Sequence, residues 1–126
     1  MNPMIYVASK TRHAEMWRLL RLHMKINSTW IDEAGVGQTA SYSELSERCL
    51  WEIRNSSALV LYCEPGEILK GAIIEAGAAL ALGIPVYCVG ECVSLSRVFR
   101  AHPLWTDSEN LNAACEAIKK LIGGGE

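Results

Sequence analysis

The stretch from Ala58 to Val89 constrains this chain more than any other. Ala58-Leu59-Val60-Leu61-Tyr62-Cys63 is apolar without alternation, as in a strand covered on both faces, and Glu64-Pro65-Gly66 turns the chain at its end. The run EILKGAIIEAGAALAL, Glu67 to Leu82, then reads as a helix stopped by Gly83. Ile84-Pro85-Val86-Tyr87-Cys88-Val89 follows as a second buried strand. Two such strands joined through a helix lie parallel inside a sheet, with helices on its faces.

The flanking sequence extends this unit. Met4 to Ala8 (MIYVA) reads as a first strand, and Trp17, Leu20 and Met24 recur at helical spacing until about Lys25. Ile26 to Ile31 (INSTWI) has the composition of a second strand, followed by a flexible polar loop, Asp32 to Thr39. A capping box, Ser41-x-x-Glu44, starts a helix that carries Leu45, Cys49, Leu50 and Ile53 toward the core and ends at Asn55-Ser56-Ser57. Residues 91–105 resist assignment but have room for a short helix and a fifth strand; a last helix runs from about Asp107 to Ile122.

With 126 residues, half of them hydrophobic, the chain suits one domain over residues 1–122 with a disordered tail at 123–126. The expected architecture is α/β: a parallel sheet of four to five strands in the order 2-1-3-4, the fifth outside. Ligands bind such a sheet beyond the carboxyl ends of its strands, where the winding reverses between strands one and three. That singles out Ala8 to His13 and Cys63 to Lys70, with the loop after Trp30 closing from the side.

Charge excludes some partners. Twelve basic against fourteen acidic residues leave a net charge of −2, unlike the basic excess used to bind duplex nucleic acid. No apolar run reaches the roughly 18 residues that span a bilayer, and MNPMIYVASK lacks the plan of a secretion signal, so a cytoplasmic location is expected. Cys49, Cys63, Cys88, Cys92 and Cys115 are an odd set without CxxC spacing and read as reduced thiols. His13, His23 and His102 have no metal-like spacing, and no Ser sits in a nucleophile elbow, so neither a metal site nor a serine hydrolase is expected.

Glu75 is the most informative residue, because its helical neighbours three and four positions away are Gly71, Ala72, Ala78 and Ala79. A carboxylate among small residues admits the close approach of a reacting group; the same residues equally suit a close-packed helix or subunit seam. Lys10, Thr11 and Arg12 follow strand one where free N–H groups favour an anion, although a solvated basic turn explains them too, and no GxGxxG or GxxxxGK[ST] is present. Glu64, Glu67 and Lys70 cluster after strand three, Asp32 and Glu33 after strand two. Tyr6 and Trp30 serve either the core or a base-stacking platform.

Ile5-Tyr6-Val7-Ala8-Ser9, Ala58 to Tyr62, and the run from Gly71 through Glu75-Ala76-Gly77 to Gly83-Ile84-Pro85-Val86 together resemble the nucleoside 2-deoxyribosyltransferase family, which includes deoxynucleoside-monophosphate N-glycosidases. The resemblance covers roughly residues 4 to 90. It implies a small flavodoxin-like, Rossmann-like three-layer sandwich that forms dimers or higher homo-oligomers and needs no cofactor. The substrate would be a small-molecule nucleoside or nucleotide: a 2-deoxynucleoside or its 5′-monophosphate. Glu75 would be the nucleophile at the anomeric carbon, with Glu64 as acid. Tyr6, Ser9 and Lys10 would contact sugar or phosphate, with Arg12 a further phosphate contact, Trp30 and Asp32 would contact the base, and Gly66, Lys70 and Gly71 would complete the substrate-binding set.

This chain departs from the family pattern at two places. Where the family carries an aspartate in Asp-Leu-x-x-Ile on helix two, it reads Cys49-Leu50-Trp51-Glu52-Ile53, and Glu47 lies about 200° around the helix from position 49. Ser9-Lys10-Thr11-Arg12 stands in place of a more glycine-rich turn. A non-catalytic module that senses or sequesters a nucleotide is the alternative reading.

Overall fold

The computed structural model describes residues 3–35, 39, 41–92 and 95–123. Val36 to Gln38 of the expected flexible loop and Gly124 to Glu126 of the expected tail lie outside the described residues. The elements are β1 (Ile5–Ala8), a 3-10 turn (Thr11–His13), α1 (Ala14–Leu20), a second 3-10 turn (Thr29–Asp32) and α2 (Tyr42–Arg54). They continue with β2 (Ala58–Tyr62), α3 (Gly71–Ala81), β3 (Val86–Val89), α4 (Arg97–Arg100), β4 (Trp105–Ser108) and α5 (Leu111–Ile122).

The sheet is four-stranded and wholly parallel, in the order β1-β2-β3-β4, with Ile5 opposite Ala58, Leu59 opposite Val86 and Val86 opposite Trp105. Tyr6, Leu59, Leu61 and Val86 are fully buried, as strands covered on both faces require. Right-handed crossovers that always step the same way place their helices on one face. There α2 and α3 pack together, α3 running over β1, β2 and β3. On the opposite face α5 lies over β2, β3 and β4, and its Leu111 lines a shallow hollow together with Met16 and Leu20 of α1. The result is the three-layer, flavodoxin-like sandwich.

The expected second strand is reduced to a single bridge, Ile26 to Ile5. There the Ile5 amide donates to Lys25 O (2.8 Å) and the Asn27 amide to Ile5 O (3.1 Å). One step along, side chains take over: the Val7 amide donates to Ser28 Oγ (2.8 Å) and Trp30 Nε1 donates to Val7 O (2.9 Å). With both edge groups of Val7 satisfied, the backbone of 27–31 is released from the ladder and coils into the 3-10 turn.

Three helix boundaries also differ from expectation. α1 ends at Leu20 and continues as hydrogen-bonded turns to Met24. α3 begins at Gly71 rather than Glu67, because Glu67 Oε1 accepts the Glu64 amide (2.8 Å) and the Glu67 amide donates to Glu64 O (3.0 Å), closing residues 64–67 into a turn. The last helix begins at Leu111, capped by Asn110, while Asp107 belongs to β4. One half of the capping box forms, the Glu44 amide donating to Ser41 Oγ (3.2 Å), while the Glu44 carboxylate accepts instead from Arg48 Nε (2.9 Å). Ile53 is buried, but Leu50 is 45% exposed rather than in the core.

Gly90, at φ +95°, fixes the carboxyl end of β3. A Cβ there would lie 1.9 Å from Cys63 O, so only glycine lets the two chains pass.

Candidate active site

The chain leaves β1 toward α1 on one face and β2 toward α3 on the other, and a cleft opens where the two paths part. Its volume is about 550 Å³, within the range of a small-molecule site. Ser9, Lys10 and Thr11 line it from the end of β1, and Leu69, Lys70, Gly71, Ala72, Ile74 and Glu75 from the start of α3. Trp30 lies at the side, and α2 forms the remaining wall. The first turn of α3 has no side-chain cap; the Ile73 amide donates to Lys70 O (3.1 Å), and the Gly71 and Ala72 N–H groups ahead of it are left for a ligand or water.

Glu75 stands one turn into α3, half-buried, with Oε2 accepting a hydrogen bond from the Tyr6 hydroxyl. Cys49 Sγ on α2 is within hydrogen-bonding reach of both groups. Burial raises the Glu75 carboxyl to about 7, against the pull of the Tyr6 and Cys49 hydrogen bonds, and the charge of Glu52 pushes the same way as burial. Burial lifts the Cys49 thiol to about 11, and burial with the charge of Glu75 raises the Tyr6 phenol. No cation pairs with Glu75 among the described residues. It is therefore a desolvated carboxylate with two neutral donors, facing open space.

Beside the cleft lies a second cluster. Glu67 accepts from Arg12 Nε (2.7 Å) and meets His13 Nε2 at 2.8 Å, while Glu64 accepts from the Tyr62 hydroxyl at 2.8 Å and lies 3.6 Å from Arg12. His13, Glu64 and Glu67 place their ligand-type atoms within 4.8 Å of one another, a grouping invisible in sequence spacing. Arg12 already supplies positive charge there.

Of the residues singled out in the sequence, Ser9, Lys10, Trp30, Lys70, Gly71 and Glu75 line the cleft, and Tyr6 lies behind Glu75. Glu64, Arg12, Gly66 and Asp32 do not line it. Gly66 holds the turn after β2 at φ +83°, and Asp32 is paired to Arg21 (2.8 Å). Sequence reasoning missed the α2 wall of Tyr42, Leu45, Ser46, Cys49 and Leu50 as a ligand surface. Their i, i+3, i+4, i+7, i+8 spacing is a helical stripe, but the stripe faces the cleft rather than only the core.

No protein-family model matches the chain, and no curated protein matches it in sequence. Among solved structures it is similar to that of the CMP N-glycosidase BcmB from Clostridium botulinum. The TM-score is 0.56 and the identity 14%, covering 92% of this chain and 98% of the other. At that identity the likeness is one of fold. No helix among the described residues is long and apolar enough to cross a membrane.

Proposed function

We propose that this protein breaks or transfers the N-glycosidic bond of a nucleoside or its 5′-monophosphate, the 2-deoxy compounds included, with Glu75 as nucleophile. The observation that carries this reading is the Glu75 carboxylate: desolvated, oriented by Tyr6, with no cation paired to it among the described residues, and open to a cleft of nucleotide size. The fold neighbour is described as an N-glycosidase acting on a nucleotide, which supports the same bond as the target. Lys10, Lys70 and the uncapped start of α3 suit a 5′-phosphate, and Trp30 and Tyr42 offer rings beside the base.

The ionised carboxylate attacks C1′ as the bond to the base breaks. Water then releases the sugar, or a second base accepts it. Tyr6 holds the carboxylate in place, and the apolar wall from Leu45, Leu50 and Leu69 limits competing water. Tyr42, Leu50 and Ile74 are exposed at the cleft and favour self-association, which light scattering on the purified chain tests.

Cys49 favours one other reading, a binding module that holds a nucleotide without turning it over. Chromatography of the purified protein incubated with each nucleoside and monophosphate, with and without a second free base, separates the two. Released or exchanged base that disappears in Glu75→Gln supports the enzyme. Tight binding with unaltered ligand recovered supports the module.

A further inference from the structure

Among the described residues, the cleft offers a nucleophile and no second carboxyl to partner it as acid. Among the described lining residues Glu75 is the one carboxylate. Glu52, the neighbour whose charge reaches it, is buried, and its oxygens accept from the Thr29 amide (3.2 Å) and hydroxyl (2.6 Å). Glu64 is turned away to Tyr62 and Arg12. The α2 position facing Glu75 holds Cys49, whose thiol is raised to about 11. Giving up its proton would create a buried thiolate beside Glu75 and Glu52. The Tyr6 phenol is raised too, and its proton is already committed to Glu75. Lys10 and Lys70 line the cleft at the end of β1 and the start of α3, where their charges suit an anionic group.

A neutral nucleobase leaves as an anion unless it is protonated, and general acid catalysis of that step contributes about 10²- to 10⁴-fold. A pyridinium base needs no proton, because the bonding pair neutralises its own ring nitrogen. Resting on the glycosidase reading above, we infer that the preferred substrate is a nucleotide whose base is already cationic, a pyridinium mononucleotide. A Glu75 oxygen bonds to C1′ as the C1′–N bond breaks, and the pair passes to the ring nitrogen, which leaves as a neutral pyridine. Water then adds at C1′, regenerating the carboxylate, freeing the sugar phosphate and releasing one proton to solvent. The carboxylate and the rings of Trp30 and Tyr42 both attract a cationic ring more than a neutral one.

The test compares nicotinamide mononucleotide with CMP and dCMP as substrates of the purified protein, scoring released base. Nicotinamide release is expected to exceed cytosine release by about 100-fold in kcat/KM. Cys49→Asp, which returns a carboxyl to the α2 position, is expected to raise cytosine release and narrow that ratio by at least about tenfold. Because that variant adds a buried charge, the pH profile of the unaltered protein gives an independent reading. With nicotinamide mononucleotide the rate should rise through about pH 7 as Glu75 ionises and stay level above it, there being no acid to lose. Cytosine release as fast as nicotinamide release, or a falling alkaline limb, overturns the inference and leaves the glycosidase reading standing. No base released from any of the three overturns the inference and leaves the glycosidase reading to the wider nucleoside and monophosphate panel, whereas release unchanged in Glu75→Gln overturns both.

Discussion

Glu67 and Glu75 follow the same strand, both partly or wholly removed from water, yet they are held in opposite states. Burial acts against the charge of Glu67, but the Glu64 amide, His13 and Arg12 together hold its carboxyl below the ordinary range. Burial acts against the charge of Glu75 as well. Only a phenol and a thiol oppose it, so its carboxyl rises to about 7. Desolvation alone thus does not make a reactive group; what separates the two is whether a cation and a backbone N–H come with it. Glu67 ties the turn after β2 to the start of α1, whereas Glu75 keeps its charge unspent and faces the cleft.

The largest expected effect lies on the catalytic side of this contrast. Glu75→Gln should lower base release on the order of 1,000-fold, measured as kcat/KM, whereas Glu67→Gln should lower it only in proportion to lost folded protein. Equal losses in the two variants would erase the distinction.

Stability should separate the two residues by sign. The folded-state pKa of Glu75 is raised, so between about pH 4.5 and 7 the folded chain keeps a proton that the unfolded chain has lost. Stability from this group is full below that window and is lost as pH rises through it, by about 2 to 3 kcal/mol. Glu75→Gln should remove that slope and leave the protein as stable or more stable at pH 8, read by urea melts at several pH values.

The folded-state pKa of Glu67 is depressed, so its contribution is present above the ordinary carboxylate range and is lost as pH falls below it. Glu67→Gln should cost about 2 kcal/mol at pH 7 in the same melts. That figure is moderated because the Arg12 side chain is 63% exposed.

The smallest effect belongs to the hydroxyl that steadies Glu75. Tyr6→Phe removes a hydrogen bond that lowers the carboxyl pKa, so the ascending limb of the rate profile should move to higher pH and turnover at pH 7 should fall by about tenfold. An unmoved limb would mean that Tyr6 does not set the ionisation of Glu75.

Much of this architecture is legible in residue order. The apolar runs of β2 and β3, the small-residue helix between them and the Ser41 cap are local patterns, and their crossover geometry places the cleft. Residues 26–31 were not legible as they stand. Their composition suits a strand, and only the meeting of Ser28 and Trp30 with Val7 shows that side chains complete the edge instead. Glu64 illustrates the same limit: its neighbours in sequence place it by the opening, but Tyr62 and Arg12 orient it elsewhere.

By itself the sequence determined the parallel α/β plan, the switch between β1 and β2, and the small-residue surroundings of Glu75 on the helix that follows, because periodicity and burial are properties of short stretches. Tertiary structure alone decided that the α2 stripe walls a cleft, that Cys49 and Tyr6 close on Glu75, and that Arg12 and His13 belong to Glu67. A carboxylate's state depends on which charges and dipoles lie within a few ångströms of it. Those neighbours come from elements far apart in the chain, so no local pattern contains them.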